Sequence, residues 1–334
     1  MWFNQKKSNE QNDPQILLDE LSSNGIELSI EELIRYQSKS SLINLAAAKS
    51  LHGKMSGNYL ARSKGRGMEF DEVRHYQNGD DIRAIDWRVT ARTGETHTKL
   101  FREEVERPVL IATDLSTNML FGSQLLFKSV QAAHVAALVA WHAKSRGDRI
   151  GGVVFNQHSH TELKPRSRQQ GVLHYLHALV KCHAESSAAC SEPLDREQAK
   201  LAFEQNCARL RQLAKPGSLV YLLTDAFSLT DEAVRHLASV SQHCELVVCL
   251  LSDPLEQQLP ESEQKISVTV TDGNERQQLI LGDKAMAEKY HQHAMSLNDT
   301  IEQKLAKAGA RLLHFCASEP LETQLHRGVA SWIR

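Results

Sequence analysis

The alternation of apolar and polar positions changes rhythm along the chain, and each rhythm predicts a different element. Residues 1–13 are polar, rich in Asn, Gln, Lys and Ser, with little to bury, so they are expected to stay disordered. In 14–56 the pattern turns helical. Ile16, Leu17 and Leu21 recur near helical spacing, and Ser29 followed by Glu32 forms a capping box that opens a second helix through Leu33 and Ile34. Across 57–107 charged residues stand in almost every triplet. There 85–91 and 96–101 alternate well enough for two strands, and Thr93, Gly94 and Glu95 supply a turn, which predicts a hairpin.

Beyond Pro108 the rhythm becomes strand, helix, strand. Residues 109–113 form a short apolar run, and Leu126, Val130, Ala133, Ala137, Leu138 and Trp141 mark a helix that Gly147 can end. Apolar runs at 150–155, 219–224 and 246–251 repeat the buried-strand signature, with helical stretches at 195–214 and 230–242. A hairpin over 267–281 turns at Asp272 and Gly273, a long helix spans 284–308, and a last strand covers 311–315. Such alternation predicts an α/β fold, a doubly wound, mostly parallel sheet over 108–334, with a helical and β-hairpin extension before it.

Composition narrows the function classes. The 334 residues are 41% hydrophobic, enough for a real core, and 39 Lys and Arg against 41 Asp and Glu leave a formal charge of −2. No global field is therefore available to hold nucleic acid or an anionic membrane. A spanning helix needs about 20 consecutive apolar residues, and no run approaches that. The amino-terminal stretch lacks the apolar segment of a secretory signal, so a cytoplasmic location is expected. Cysteines 182, 190, 207, 244, 249 and 316 show no Cys-x-x-Cys spacing and are expected to behave as small hydrophobes. The close pairs His158 and His160, His174 and His177, and His291 and His293 lack the residues that would complete a ligand set. Without a Gly-x-x-x-x-Gly-Lys-Ser/Thr loop, the chain is not itself a P-loop ATPase. Gly151 and Gly152 read as turn or packing glycines.

In an open parallel sheet ligands bind outside the carboxyl ends of the strands, and two predicted strands end in polar residues. One runs into Asp114, Ser116 and Asn118, whose i, i+2, i+4 alternation would aim three oxygen-bearing side chains the same way from an extended loop. The other ends in Thr224 and Asp225. Carboxylate, hydroxyl and amide oxygens suit Mg²⁺, and adjacent carboxylates favour a cation between them. The bland alternative is that Asp114 only caps the segment after it.

The run Asp114, Leu115, Ser116, Thr117, Asn118, Met119, followed later by Thr224 and Asp225, resembles the metal-ion-dependent adhesion site of von Willebrand factor type A domains, although Asn118 stands where a second serine is usual. Upstream, Arg66, Gly67, Glu69 and Phe70, then Arg74 and Tyr76, then Gly79, Asp80, Asp81, Arg83, Ile85, Asp86 and Trp87, and finally Ala91 and Arg92 are similar to the signature of the "domain of unknown function 58" family. In that family the signature precedes a type A-like domain. Together the two resemblances cover about residues 50 to 330.

The resemblance implies a non-enzymatic adaptor that works with a MoxR-type AAA+ ATPase and its client proteins in assembling or maturing a complex. It also implies Mg²⁺ held by Asp114, Ser116, Asn118 and Asp225. The 66–92 arginines have two readings, a grip on phosphates or an acidic partner, or ion pairs of Arg74, Arg83 and Arg92 with Glu69, Asp80 and Asp86. Ten basic against ten acidic residues between 57 and 107 favour the ion pairs, with Trp87, Tyr76 and Phe70 as packing residues. An alternative enzyme reading makes Asp114 the nucleophile of a Mg²⁺-dependent phosphatase, but Ser116 stands where its general acid belongs. An RNA-binding reading rests on the basic stretch 62–66 and runs against the overall charge.

Overall fold

A computed structural model describes residues 13–42, 68–103, 107–191, 195–260, 262, 264–271 and 276–327. In chain order the strands are β1 (Met68–His75), β2 (His97–Glu103), β3 (Pro108–Asp114), β4 (Arg149–Phe155), β5 (His160–Arg166), β6 (Leu219–Thr224), β7 (Glu245–Ser252), β8 (Ile266–Thr271), β9 (Arg276–Leu281) and β10 (Arg311–Cys316). The helices are α1 (Pro14–Leu21), α2 (Ile30–Ile34), α3 (Trp87–Thr93), α4 (Lys128–Ser145), α5 (Arg168–Ala188), α6 (Arg196–Leu213), α7 (Asp231–Ser241), α8 (Pro254–Gln257), α9 (Lys284–Lys307) and α10 (Leu321–Arg327). The described residues form two units, 13–42 with 107–327, and 68–103.

The larger unit is mixed α/β. Its central sheet has the order β10-β7-β6-β3-β4-β5, parallel except for the edge strand β5, which runs antiparallel to β4. Strand residues alternate between two apolar layers, as the two-residue period requires. Val109 and Ile111 of β3 face α4, α5 and α10, while Leu110 and Ala112 face α6, α7 and α9. Both faces are thus covered, which explains why the parallel strands are apolar throughout. At Gly152 the backbone needs the absence of a side chain, because φ is +151° and a Cβ there would lie 1.9 Å from the Ile111 carbonyl oxygen on β3.

Helix α4 is buried on almost every side. An all-round apolar helix needs cover beyond the sheet, and 14–42 provides it. Ser29 and Glu32 form the expected capping box at α2. The other oxygen of Glu32 meets His134 Nε2 at 2.5 Å, Trp141 Nε1 donates to the Leu33 carbonyl at 3.1 Å, and Leu33 and Tyr36 enter the same core. The helical preface is therefore part of the sheet unit's core. Residues 1–12 and 43–67 lie outside the described residues, and with them the disorder expected at the start, part of the preface, and Arg66.

The smaller unit corrects the expected hairpin. Residues 85–91 are not a strand, because Asp86 accepts the Arg88 and Val89 backbone N–H groups as an N-cap and α3 then runs to Gly94, which closes it in the left-handed conformation. Strand β2 pairs instead with β1, His97 opposite His75. Helix α5 is a second departure, since no helix is expected there from the sequence, although Val172, Tyr175, Leu176 and Leu179 carry the spacing and are all buried.

Candidate functional site

The direction in which strands are added to the sheet reverses beside β3. From β3 the chain crosses to β4 on one side, and β6 later joins on the other, so the carboxyl ends of β3 and β6 flank a crevice of the kind that binds ligands in open α/β sheets. Asp114 ends β3 and is 2% exposed. Its Oδ2 accepts the Thr224 hydroxyl from the end of β6 at 2.8 Å, and its Oδ1 accepts the Ser116 backbone N–H at 3.0 Å. Burial, and after it the neighbouring charge of Asp225, push the Asp114 carboxyl up to about 6.

Asp225 follows β6. Its Oδ1 accepts the Phe227 N–H at 3.1 Å, and its Oδ2 lies 2.8 Å from Lys128 Nζ. Lys128 opens α4 and is fully buried. A cation at a helix amino terminus opposes the helix dipole, so its placement there has to be offset. Two carboxylates provide the offset. Besides Asp225, Glu256 Oε1 of α8 lies 2.5 Å from the same ammonium. Burial lowers the Lys128 pKa, but the Asp225 and Glu256 charges outweigh it and hold the ammonium above the usual lysine range. Glu256 Oε2 accepts the Asp253 N–H in a capping box, and Asp253 in turn accepts the Ser123 hydroxyl and N–H. The loops after β3, β6 and β7 are thereby tied to one another.

Two aromatic rings flank the ammonium. Lys128 Nζ is 5.0 Å from the Phe227 ring centre and 6.0 Å from that of Phe121, within the range of cation–π attraction. Both rings are partly exposed, Phe121 by 37% and Phe227 by 44%. Ala226, between Asp225 and Phe227, sits at φ +59°, an uncommon conformation for a side chain with a Cβ. Beside this rim opens a cavity of about 590 Å³ lined by residues that include Asp225, Phe227, Glu256, Tyr290, Leu297 and Ile301.

Of the residues picked from sequence, the structure brings Asp114 and Asp225 to one rim, with Ser116 beside Asp114. Asn118 does not follow them in an extended loop, because 117–119 form a turn of 3-10 helix and the two-residue alternation stops at Ser116. A divalent ion such as Mg²⁺ asks for oxygen ligands at about 2.1 Å and near-octahedral geometry. Here both oxygens of Asp114 and of Asp225 already have donors, and the position between Asp225 and Glu256 holds an ammonium. As arranged, these residues do not fit a divalent cation. Sequence reasoning missed Lys128, Glu256, Phe121 and Phe227. The available signal was Lys128 itself, the only Lys, Arg, Asp or Glu between Asp114 and Lys144, in a segment otherwise rich in apolar residues.

The smaller unit holds the described part of the 66–92 group. Arg74 pairs with Asp80 at 2.7 Å, and Tyr76 donates to the Asp80 carbonyl. The Gln77 backbone N–H, which donates to Asp80, comes first among the causes that hold the Asp80 carboxyl below its usual range, with Arg74 adding to it. Asp81 caps the 3-10 turn 82–84 by accepting the Arg83 N–H, and Asp86, the cap of α3, lies 3.6 Å from Lys99 instead of from an arginine of the signature. Arg92 sits in the last turn of α3, where a cation complements the helix dipole. Trp87 is 67% exposed, so it is not the packing residue that was expected. The side chains of Glu69 and Phe70 lie outside the described residues.

Comparison with known proteins adds relatives of equally open function. The chain is 24% identical over 289 residues to the uncharacterized proteins Mb1516 of Mycobacterium bovis and Rv1480 of Mycobacterium tuberculosis, covering 86% of this chain and 87% of each relative. Among solved structures, BatB from Bacteroides thetaiotaomicron aligns over 61% of this chain and 98% of its own at 16% identity and a TM-score of 0.37. An aerotolerance-related membrane protein from Bacteroides fragilis aligns over 60% and 99% at 17% identity and a TM-score of 0.35. No helix among the described residues is long and apolar enough to cross a membrane. The family model described as "Protein of unknown function DUF58" matches residues 72–309, and the chain belongs to that family.

Proposed function

We propose that this protein is a non-enzymatic docking module of von Willebrand factor type A-like fold that works in the cytoplasm with a MoxR-type AAA+ ATPase, in assembling or maturing the ATPase's client complexes. The observation that carries the reading is the rim at the ends of β3 and β6, where the ion cluster of Lys128, Asp225 and Glu256 lies beneath two exposed phenylalanines. Aromatic side chains over a rigid floor are the usual anchors of protein interfaces. Asp114 supports a binding role over a catalytic one, because it is buried and both its oxygens are engaged, which makes it a poor nucleophile. The choice of partner rests on what the resemblance of the Arg74 to Arg92 signature implies.

The test is biolayer interferometry of the full chain against the MoxR-type ATPase of the same genome. Two lost anchors at about 1–2 kcal/mol each predict that F121A/F227A binds at least about thirtyfold more weakly while remaining folded by circular dichroism. Undiminished affinity of the double variant removes the rim from the function. No binding by the wild type removes the ATPase.

A further inference from the structure

We infer that Lys128 is the resident cation of the crevice: its ammonium takes the place of a divalent ion, so the rim is assembled without metal, and its carboxylates become a divalent-cation site only when the ammonium is removed. This role follows from the geometry of the crevice and is independent of the docking role.

Lys128 is the first residue of an 18-residue helix packed into the core, so its side chain starts from a fixed point. The backbone N–H of Lys128 donates to the Phe121 carbonyl at 2.8 Å, which ties the same residue to the loop after β3. Its Nζ then bonds Asp225 after β6 and Glu256 after β7. One residue thus joins three strand-end loops, as a metal ion does by collecting ligands from several loops.

Charge points the same way. Asp114, Asp225 and Glu256 bring three carboxylates into a poorly solvated space, where like charges repel strongly unless a cation intervenes. Lys128 is the cation that the structure places among them, and it is fully buried. Phe121 and Phe227 flank it and its side chain is fully buried, so a partner's carboxylate does not reach the ammonium. What reaches the surface is aromatic and acidic. A partner segment that seats there therefore presents apolar or basic side chains, and chelators leave its binding unchanged.

The test uses Mn²⁺ as probe with no ATPase present, so a negative result leaves the docking role standing. Wild type, K128A, K128S and K128S/D225N are titrated with Mn²⁺, free ion being read by its EPR signal, and thermal unfolding is followed in Mn²⁺ and in EDTA. Wild type is expected to take up no Mn²⁺ and to melt at the same temperature in both. Removing a unit charge a few Å from the ion should tighten Mn²⁺ binding in K128S by at least about a hundredfold over wild type. K128S should then melt higher in Mn²⁺ than in EDTA, and D225N should abolish both effects. Either lysine variant that is unfolded in EDTA should be recovered by Mn²⁺. A wild type that binds one Mn²⁺, and loses it in a D225N single variant titrated beside it, overturns the inference. Failure of Mn²⁺ to bind or recover both K128A and K128S overturns it equally, and marks Lys128 as an ordinary buried ion pair.

Discussion

Replacing Lys128 by methionine separates the charge of this residue from its bulk. Methionine approximates the aliphatic stem, so little cavity is left, while the ammonium and its bonds to Asp225 and Glu256 disappear. The side chains of the lysine and Asp225 are 0% and 2% exposed, and that of Glu256 is 18% exposed, so neither carboxylate recovers full hydration. Removing one partner of a buried pair costs about 3–5 kcal/mol, because the other charge stays buried and uncompensated. For a unit of this size that corresponds to a fall in Tm of about 10 °C. The triple variant K128M/D225N/E256Q removes the stranded charges as well and should recover most of the loss. Urea unfolding followed by circular dichroism measures both. The loss in K128M should also shrink toward acid pH, since burial raises the Glu256 carboxyl above its usual range and its protonation removes part of the uncompensated charge. A K128M midpoint equal to wild type refutes the reasoning, as does a triple variant no more stable than K128M.

The remaining predictions concern the neighbouring strand end, the sheet and the preface. Asp114 has a folded-state value of about 6 against an ordinary value of 3.8, so the native state keeps its proton longer than the unfolded chain. Its contribution to stability is therefore full below about pH 4 and is lost as pH rises to about 6, a change of about 3 kcal/mol. Asp114→Asn should flatten that fall and be more stable than wild type near neutral pH, and a urea midpoint lower than wild type there argues against it. Gly152→Ala forces a Cβ against the Ile111 carbonyl and should cost more than about 3 kcal/mol or prevent folding, read as lost soluble yield or a lowered Tm. Glu32→Ala strands the buried His134 imidazole at a cost of about 2 kcal/mol, and limited proteolysis should then cut within 13–42 sooner than in wild type.

How much of this was legible in the sequence depended on whether a residue's partner lay nearby in the chain. The strands at 109–113, 150–155, 219–224 and 246–251 and the helix over 284–308 were legible because burial on both faces leaves continuous apolar runs and the helices keep their own period. The capping box of Ser29 and Glu32 was legible because both halves lie within one turn. Helix α3 was misread because seven residues are too few for period 2 and period 3.6 to part clearly, and Asp86 and Gly94, which decide the matter, also suit turns. The candidate site divides in the same way. Asp114 and Asp225 could be paired from the sequence because a parallel sheet delivers both to one edge, so topology alone brings them together. Lys128 could be seen as a charge out of place, but not as their partner, because 97 residues separate it from Asp225 and 128 from Glu256. A lone cation inside an apolar helix start has to be neutralised, and in a doubly wound sheet the strand-end carboxylates lie within reach. The demand of a buried lysine for counter-charge is therefore the stronger constraint on this crevice, and it decides what two aspartates at the same edge are left free to hold.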